Sequence, residues 1–308
     1  MQQKYIELKA SRDVGGMITT YFEFLKQNFK GFLNIFISYN GFFILGFLGV
    51  SYLLVTGFVG VYFTSTAGGN ASSLLSHQLY LALGFLSFIV LFIVTAIFNY
   101  SLAAAYMIEY ETNPGAVVEK SKVWEIVKQN FGKITLFIIL MMMMYFGVII
   151  FGMIVSIIPV LGIFAYYLII IGFTSWMGLA FMSMMRDKKE VTEAFGEGWK
   201  LLTQYFWKSI LTNLVITMLI GILMMVVLMV PGVLIGIYTF HSVETGVDLI
   251  NSPVSNIIWI LALSFLLILY TINQSLSQFV NGILFYSLHE ETYNEAARER
   301  IDNIGLGE

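Results

Sequence analysis

The hydrophobic pattern opens with a stretch, Gly31 to Ile108, that contains no Asp, Glu, Lys or Arg. A polar interruption from Ser65 to Gln78 divides it into two apolar segments. A bilayer core about 30 Å thick needs about 20 apolar residues, so each segment is predicted to span a membrane, with length left for tilt. A second charge-free run, Ile134 to Met185, is broken at Ile158-Pro159-Val160-Leu161-Gly162, where Pro and Gly favour a very short turn between spans three and four. Span five is predicted from about Ser209 to Val230, ending at Pro231-Gly232, and span six from about Ser255 to Leu288. The segment between them, Val233 to Pro253, carries His241, Glu244 and Asp248.

An amphipathic segment with a recurring signature precedes each odd-numbered span. The three copies begin Phe22-Glu23-Phe24-Leu25, Trp124-Glu125-Ile126-Val127 and Trp199-Lys200-Leu201-Leu202, and they bring Gln27, Gln129 and Gln204 into register. In the first, Val14, Met17, Ile18, Tyr21, Phe22, Leu25 and Phe29 follow the i, i+3, i+4, i+7 rule of a one-sided helix. The third repeats it with Val191, Ala194, Phe195, Trp199, Leu202 and Phe206. Such helices are expected to lie in the interface and anchor the spans, with aromatic rings at headgroup depth. The even-numbered spans align at Ala103, Gly178 and Gly282, small residues where helices approach closely. The expected fold is an all-α integral membrane protein of six transmembrane helices. These form three repeated hairpins, each preceded by a cytoplasmic interfacial amphipathic helix. The repeat units cover about 14–112, 117–187 and 191–289 of one membrane domain spanning 1–308, with a short cytoplasmic tail at 290–308.

Composition agrees. Of 308 residues, 58% are apolar and only 11% charged, against roughly 25% charged in a soluble domain. The net charge of −3 gives no polyelectrolyte signal, and no nucleic-acid partner is expected. All 16 Lys and Arg fall on one side of the predicted spans: five before span one, four between spans two and three, five between spans four and five, and two in the tail. Positive residues accumulate in the cytoplasm, so both termini are expected there. The region before Gly31 is charged and helical in pattern, so no cleaved leader is expected. The same side holds 17 of the 19 acidic residues and is therefore a mixed-charge surface, not a polybasic lipid anchor.

Candidate chemistry is sparse. No span has an ionisable residue in its core, which argues against carboxylate-based ion coupling, voltage sensing and aspartyl-type intramembrane proteolysis. Three His residues, with His77 and His241 outside and His289 at the cytoplasmic end, do not converge on a metal. Cys is absent, which removes thiolate chemistry. Consecutive Met141 to Met144 point about 100° apart on a helix, as core packing and not as a copper site. No cofactor is expected. Glu109, Glu111, Glu290 and Glu291 are expected to be solvated helix ends. An intramembrane enzyme would need Glu109 and Glu290 to face one enclosed cavity with a metal.

The best local signal is a polar stripe on span six: Gln274, Ser277, Gln278 and Asn281, with Asn273 and Ser275 beside it. Their i, i+3, i+4, i+7 spacing puts them on one face, and lipid cannot satisfy amides, so that face should point inward. Asn99 and Thr174 fall at positions equivalent to Gln278 in the repeat, and Thr95, Ser175, Asn213 and Thr217 are further candidate partners. The stripe reads either as interhelical hydrogen bonding or as a site for a polar or lipid headgroup.

Several motifs carry a family resemblance. Lys4-Tyr5-Ile6-Glu7-Leu8-Lys9, the Asn28-Phe29-Lys30 lead into span one, Leu288-His289-Glu290-Glu291 and Glu299-Arg300-Ile301-Asp302-Asn303-Ile304-Gly305 make the chain resemble a group of six-span membrane proteins of Bacteroidota. More distantly, the layout resembles the membrane domain attached to some glycerophosphodiester phosphodiesterases. The likeness covers almost the whole chain, but its motifs are architectural. It implies a bacterial inner-membrane location, and with no phosphodiesterase catalytic domain present it implies no such activity. The expected function is a non-enzymatic scaffold or accessory subunit of a membrane assembly, with membrane lipids and a protein docked on the cytoplasmic face as partners. The alternative is a lipid or amphiphile carrier that uses the span-six stripe.

Overall fold

The computed structural model describes residues 5–66, 70–246 and 252–296, together with 298 and 301. Lys4, part of the Ser65 to Gln78 interruption, Asp248, Glu299, Arg300 and the Asp302 to Gly305 part of the closing motif lie outside the described residues. Among these residues there are seven α-helices and no strand: α1 (Val14–Thr66), α2 (Ala71–Thr112), α3 (Lys120–Val155), α4 (Leu161–Arg186), α5 (Val191–Gln204), α6 (Phe206–Glu244) and α7 (Pro253–Tyr293). Six of them, all but α5, are long and apolar enough to cross a membrane. Large apolar side chains such as Phe42, Phe146 and Met225 are exposed along them. So much exposed apolar surface suits lipid and not water. The chain is an all-helical, multi-pass membrane protein.

The helices end where the backbone demands it. Between α2 and α3, Gly115 takes φ +79°, a left-handed conformation that suits a residue without Cβ. The α3–α4 connection falls at the predicted Pro159-Val160 break. There the Leu161 N–H donates to the Pro159 carbonyl at 2.7 Å, and Val160 sits at φ 62°, ψ −63°. That is a γ-turn on a β-branched residue, a strained way to reverse the chain in the fewest residues. Tyr205 breaks α5 from α6 at φ −123°, ψ 42°.

Two boundaries depart from the sequence pattern. The amphipathic segments before spans one and three are continuous with α1 and α3, whereas the third forms the separate helix α5. At 53 residues α1 has far more than the about 20 residues that a hydrocarbon core of about 30 Å needs. Pro231, read as the end of span five, lies inside α6, which runs on to Glu244. A proline removes one backbone bond and crowds the preceding turn, and in membrane helices local adjustment absorbs both effects.

The chain forms two compact units. Unit 1 comprises 1–35, 99–219 and 275–308; unit 2 comprises 36–98 and 220–274. Unit 1 has an aromatic core in which Phe24, Phe32, Tyr106 and Phe279 meet edge to face, with centroids 4.7 to 6.3 Å apart. The segment before α1 is tied to this unit: Ile6 N–H donates to the Tyr110 hydroxyl at 2.8 Å, and Arg12 N–H donates to Ser287 Oγ at 3.0 Å. Helix α5 buries Val191, Ala194, Gly198, Leu201 and Leu202. Gly198 lies so close to the Ala180 backbone that a Cβ there would collide with it. In unit 2, Gly57 and Gly84 allow equally close approaches, to Leu81 and Leu54 respectively.

Candidate functional site

Two polar regions of unit 1 gather the residues that chemistry would use. The first is buried among α2, α4, α6 and α7. Helix α4 presents Ser175 and, one turn on, Gly178. The Asn213 amide of α6 donates to Ser175 Oγ at 2.8 Å, while the amide of Asn281 from α7 fills the space against Gly178. On α7, Ser275 Oγ donates to the Asn99 carbonyl of α2 at 3.3 Å. Gln278 is fully buried, and among the described residues neither its Oε1 nor its Nε2 has a hydrogen-bond partner; Asn281 Oδ1 also lacks one there. Leaving such a group unpaired costs about 1–3 kcal/mol, so Gln278 is the most conspicuous side chain of the stripe.

The other predicted stripe residues separate. Gln274 is buried but belongs to unit 2, and Ser277 is half-buried. The half-buried Thr174 uses its hydroxyl on the Ile170 carbonyl of its own helix at 2.9 Å, and it is the neighbouring Ser175 that meets another helix. Asn99 is fully buried.

The second region is an ionic lattice where α4 and α7 end against α5. Arg186 Nη2 lies 2.5 Å from Glu295 Oε2, and its Nη1 lies 2.9 Å from Asp187 Oδ1. Lys189 reaches Asp187 at 3.5 Å and Glu197 at 3.2 Å. The Tyr293 hydroxyl donates to Glu197 at 2.6 Å and accepts from Lys200 at 2.7 Å. The His289 ring is enclosed by these groups, with Nε2 3.7 Å from Asp187, Nδ1 3.6 Å from Glu295, and the Tyr293 ring against it at 4.5 Å. The hydrogen bond from Arg186, and then its charge, hold the Glu295 carboxyl below its ordinary range against the opposing effect of burial. Burial pushes Glu197 upward, but hydrogen bonds from Tyr293 and Lys189 outweigh it and leave a net lowering.

Glu109 and Glu290 require a correction, because they are buried and not solvated helix ends. Glu109 accepts from Asn113 Nδ2 at 2.9 Å with Lys122 at 3.6 Å, and Glu290 accepts the Ala296 N–H at 3.0 Å. Chain that continues past each helix end covers one of its two terminal carboxylates, an effect invisible to a reading of the spans alone. Among the described residues no three His, Asp or Glu side chains converge as a metal site would need. The lattice itself went unread in the sequence. Arg186 and Glu295 are 109 positions apart, and the only trace of their pairing is that charges resume immediately after Met185 and Leu288. Comparison with protein-family models, curated proteins and solved structures returns no match.

Proposed function

We propose that this chain is a non-enzymatic, multi-pass inner-membrane protein that acts as a scaffold or accessory subunit of a membrane assembly. One observation carries the reading: Arg186 grips Glu295 and Asp187 together, tying the α4–α5 connection to the residues that follow α7. With Glu197, Lys200 and Tyr293 added, most of the charge in this region is internally neutralised and held in one arrangement. A surface ordered in advance loses less entropy when a partner docks. The finer architecture belongs to the same reading: three hairpins in one orientation, each led by an amphipathic segment that is a separate interfacial helix only in α5, and both termini in the cytoplasm, as the 16-to-0 distribution of Lys and Arg favours. The resemblance to six-span proteins of Bacteroidota, and more remotely to the membrane domain of glycerophosphodiester phosphodiesterases, supports a bacterial inner membrane. The test is photo-crosslinking in cells from the exposed positions Glu193 and Lys200, with Met225 as a lipid-facing control. A discrete protein adduct from the first two, absent from the third, is expected; lipid adducts alone would reject the reading.

A second reading is favoured by the unpartnered amide of Gln278. Here Gln278, Ser277 and Asn281, with Asn99, hold the polar end of a lipid or amphiphile in unit 1. Gln278→Leu should abolish retention of that ligand while preserving the fold, and unchanged retention would reject it.

A further inference from the structure

Unit 2 contains a groove of about 490 Å³ beside the proline inside α6. Its walls are Leu48 of α1, Pro231 and Leu234 of α6, and Ile258, Ala262 and Phe265 of α7, the last three on one helical face by i, i+4, i+7 spacing. Pro231 has no N–H to offer the Val227 carbonyl, so the groove lies where the helix ladder is interrupted. Among the described residues lining it, Ser264 alone has a polar side chain. Its hydroxyl is engaged with the Ile260 carbonyl at 2.8 Å, so the groove has no side-chain donor to spare.

The chemistry of the walls selects the occupant. A phosphate or carboxylate headgroup needs donors, and beside an interrupted ladder that offers only an acceptor it would be left without partners, at the cost of burying an unpaired polar group. A helix fits no better. With a diameter of about 10 Å, only about 6 Å of its length, roughly one turn, fills a volume of 490 Å³. A slender hydrocarbon remains. The three walls belong to membrane-spanning helices, and no charged residue occurs from Gly31 to Ile108, Ser209 to Val243 or Leu249 to His289, so acyl chains are the hydrocarbon at hand. We propose that unit 2 binds one acyl chain of a bilayer phospholipid in the groove beside Pro231. This site shares no residue with the ionic lattice or with the Gln278 region, and it stands whichever reading of those is correct.

The test uses the full chain in nanodiscs of phosphatidylcholine containing a fraction of the same lipid with a photoreactive diazirine on its acyl chain. After irradiation, peptide mapping should show adducts concentrated at Ile258, Ala262 and Phe265 relative to the exposed Leu86 and Met225. Ala262→Phe, and separately Leu234→Phe, should lower groove labelling to the level seen at Leu86, because the added ring takes the space the chain would occupy. Labelling at Leu86 should not change. Uniform labelling of all exposed apolar side chains, or groove labelling undiminished in the folded variants, would overturn the proposal.

Discussion

The amide of Asn281 packs onto the bare α-carbon of Gly178, so closely that any Cβ at position 178 would overlap it. This contact joins α4 to α7 in unit 1, one turn from the Ser175–Asn213 hydrogen bond. Gly178→Ala is therefore an overpacking change and should lower stability by about 1–3 kcal/mol. Thermal unfolding in detergent measures it, and the double variant Gly178→Ala/Asn281→Ala should recover most of the loss. Equal stability of Gly178→Ala and the parent would contradict the contact.

Asn213 and Ser175 should be energetically coupled. Hydrogen bonds between membrane helices average about 0.6 kcal/mol, and a double-mutant cycle with Ala at each position should return a value of that order. A cycle that closes to zero would mean that the 2.8 Å bond adds nothing to the packing of α4 and α6.

The sign of the pH dependence follows from Glu295. Its carboxyl is held below its ordinary range in the folded protein by Arg186. The stability it contributes is therefore complete above the unfolded pKa of about 4 and is lost as pH falls through the lower folded value. Glu197 acts in the same direction. A spin label at Asn294→Cys, in a chain with no other cysteine, should be immobile at neutral pH and become mobile on acidification below about pH 4. In the Arg186→Gln variant the label should already be mobile at pH 7, because a charge-assisted bond worth about 1.5–3 kcal/mol is gone. A label whose mobility ignores both changes would dissociate the lattice from the ordering of this segment.

Orientation is testable with the same cysteine-free chain. An impermeant maleimide applied to intact cells should modify Asn70→Cys, between α1 and α2, and should modify Lys188→Cys and Lys120→Cys only after permeabilisation. The reverse pattern would overturn the cytoplasmic assignment of the charged side.

How far the sequence could be read depends on the range of the interaction concerned. Six spans were legible because apolar run length is a local property that the bilayer reads directly. The α3–α4 turn was legible because Pro159 and Gly162 act on their own backbone. Pro231 misled for a related reason. Its local signal matches that of a terminator, yet α6 continues through it because apolar residues persist on both sides and membrane helices accommodate one lost bond. The polar stripe was legible as a face but not in its partners. Thr174 and Ser175 are adjacent in sequence, and about 100° of helix rotation decides that Ser175 meets Asn213 while Thr174 bonds to its own helix. The burial of Glu109 and Glu290, and the pairing of Arg186 with Glu295, depend on segments that meet only after the helices pack.

The proposal that this chain serves a membrane assembly is tested most directly by its mass after extraction from its own membrane in detergent-free lipid particles. Native mass spectrometry should find a second protein at fixed stoichiometry with the chain, and Arg186→Gln should reduce its occupancy. A chain that emerges reproducibly alone, carrying only lipid, would contradict the scaffold reading. If one lipid then stayed bound at fixed stoichiometry and was lost in Gln278→Leu, function would pass to the buried amide on α7.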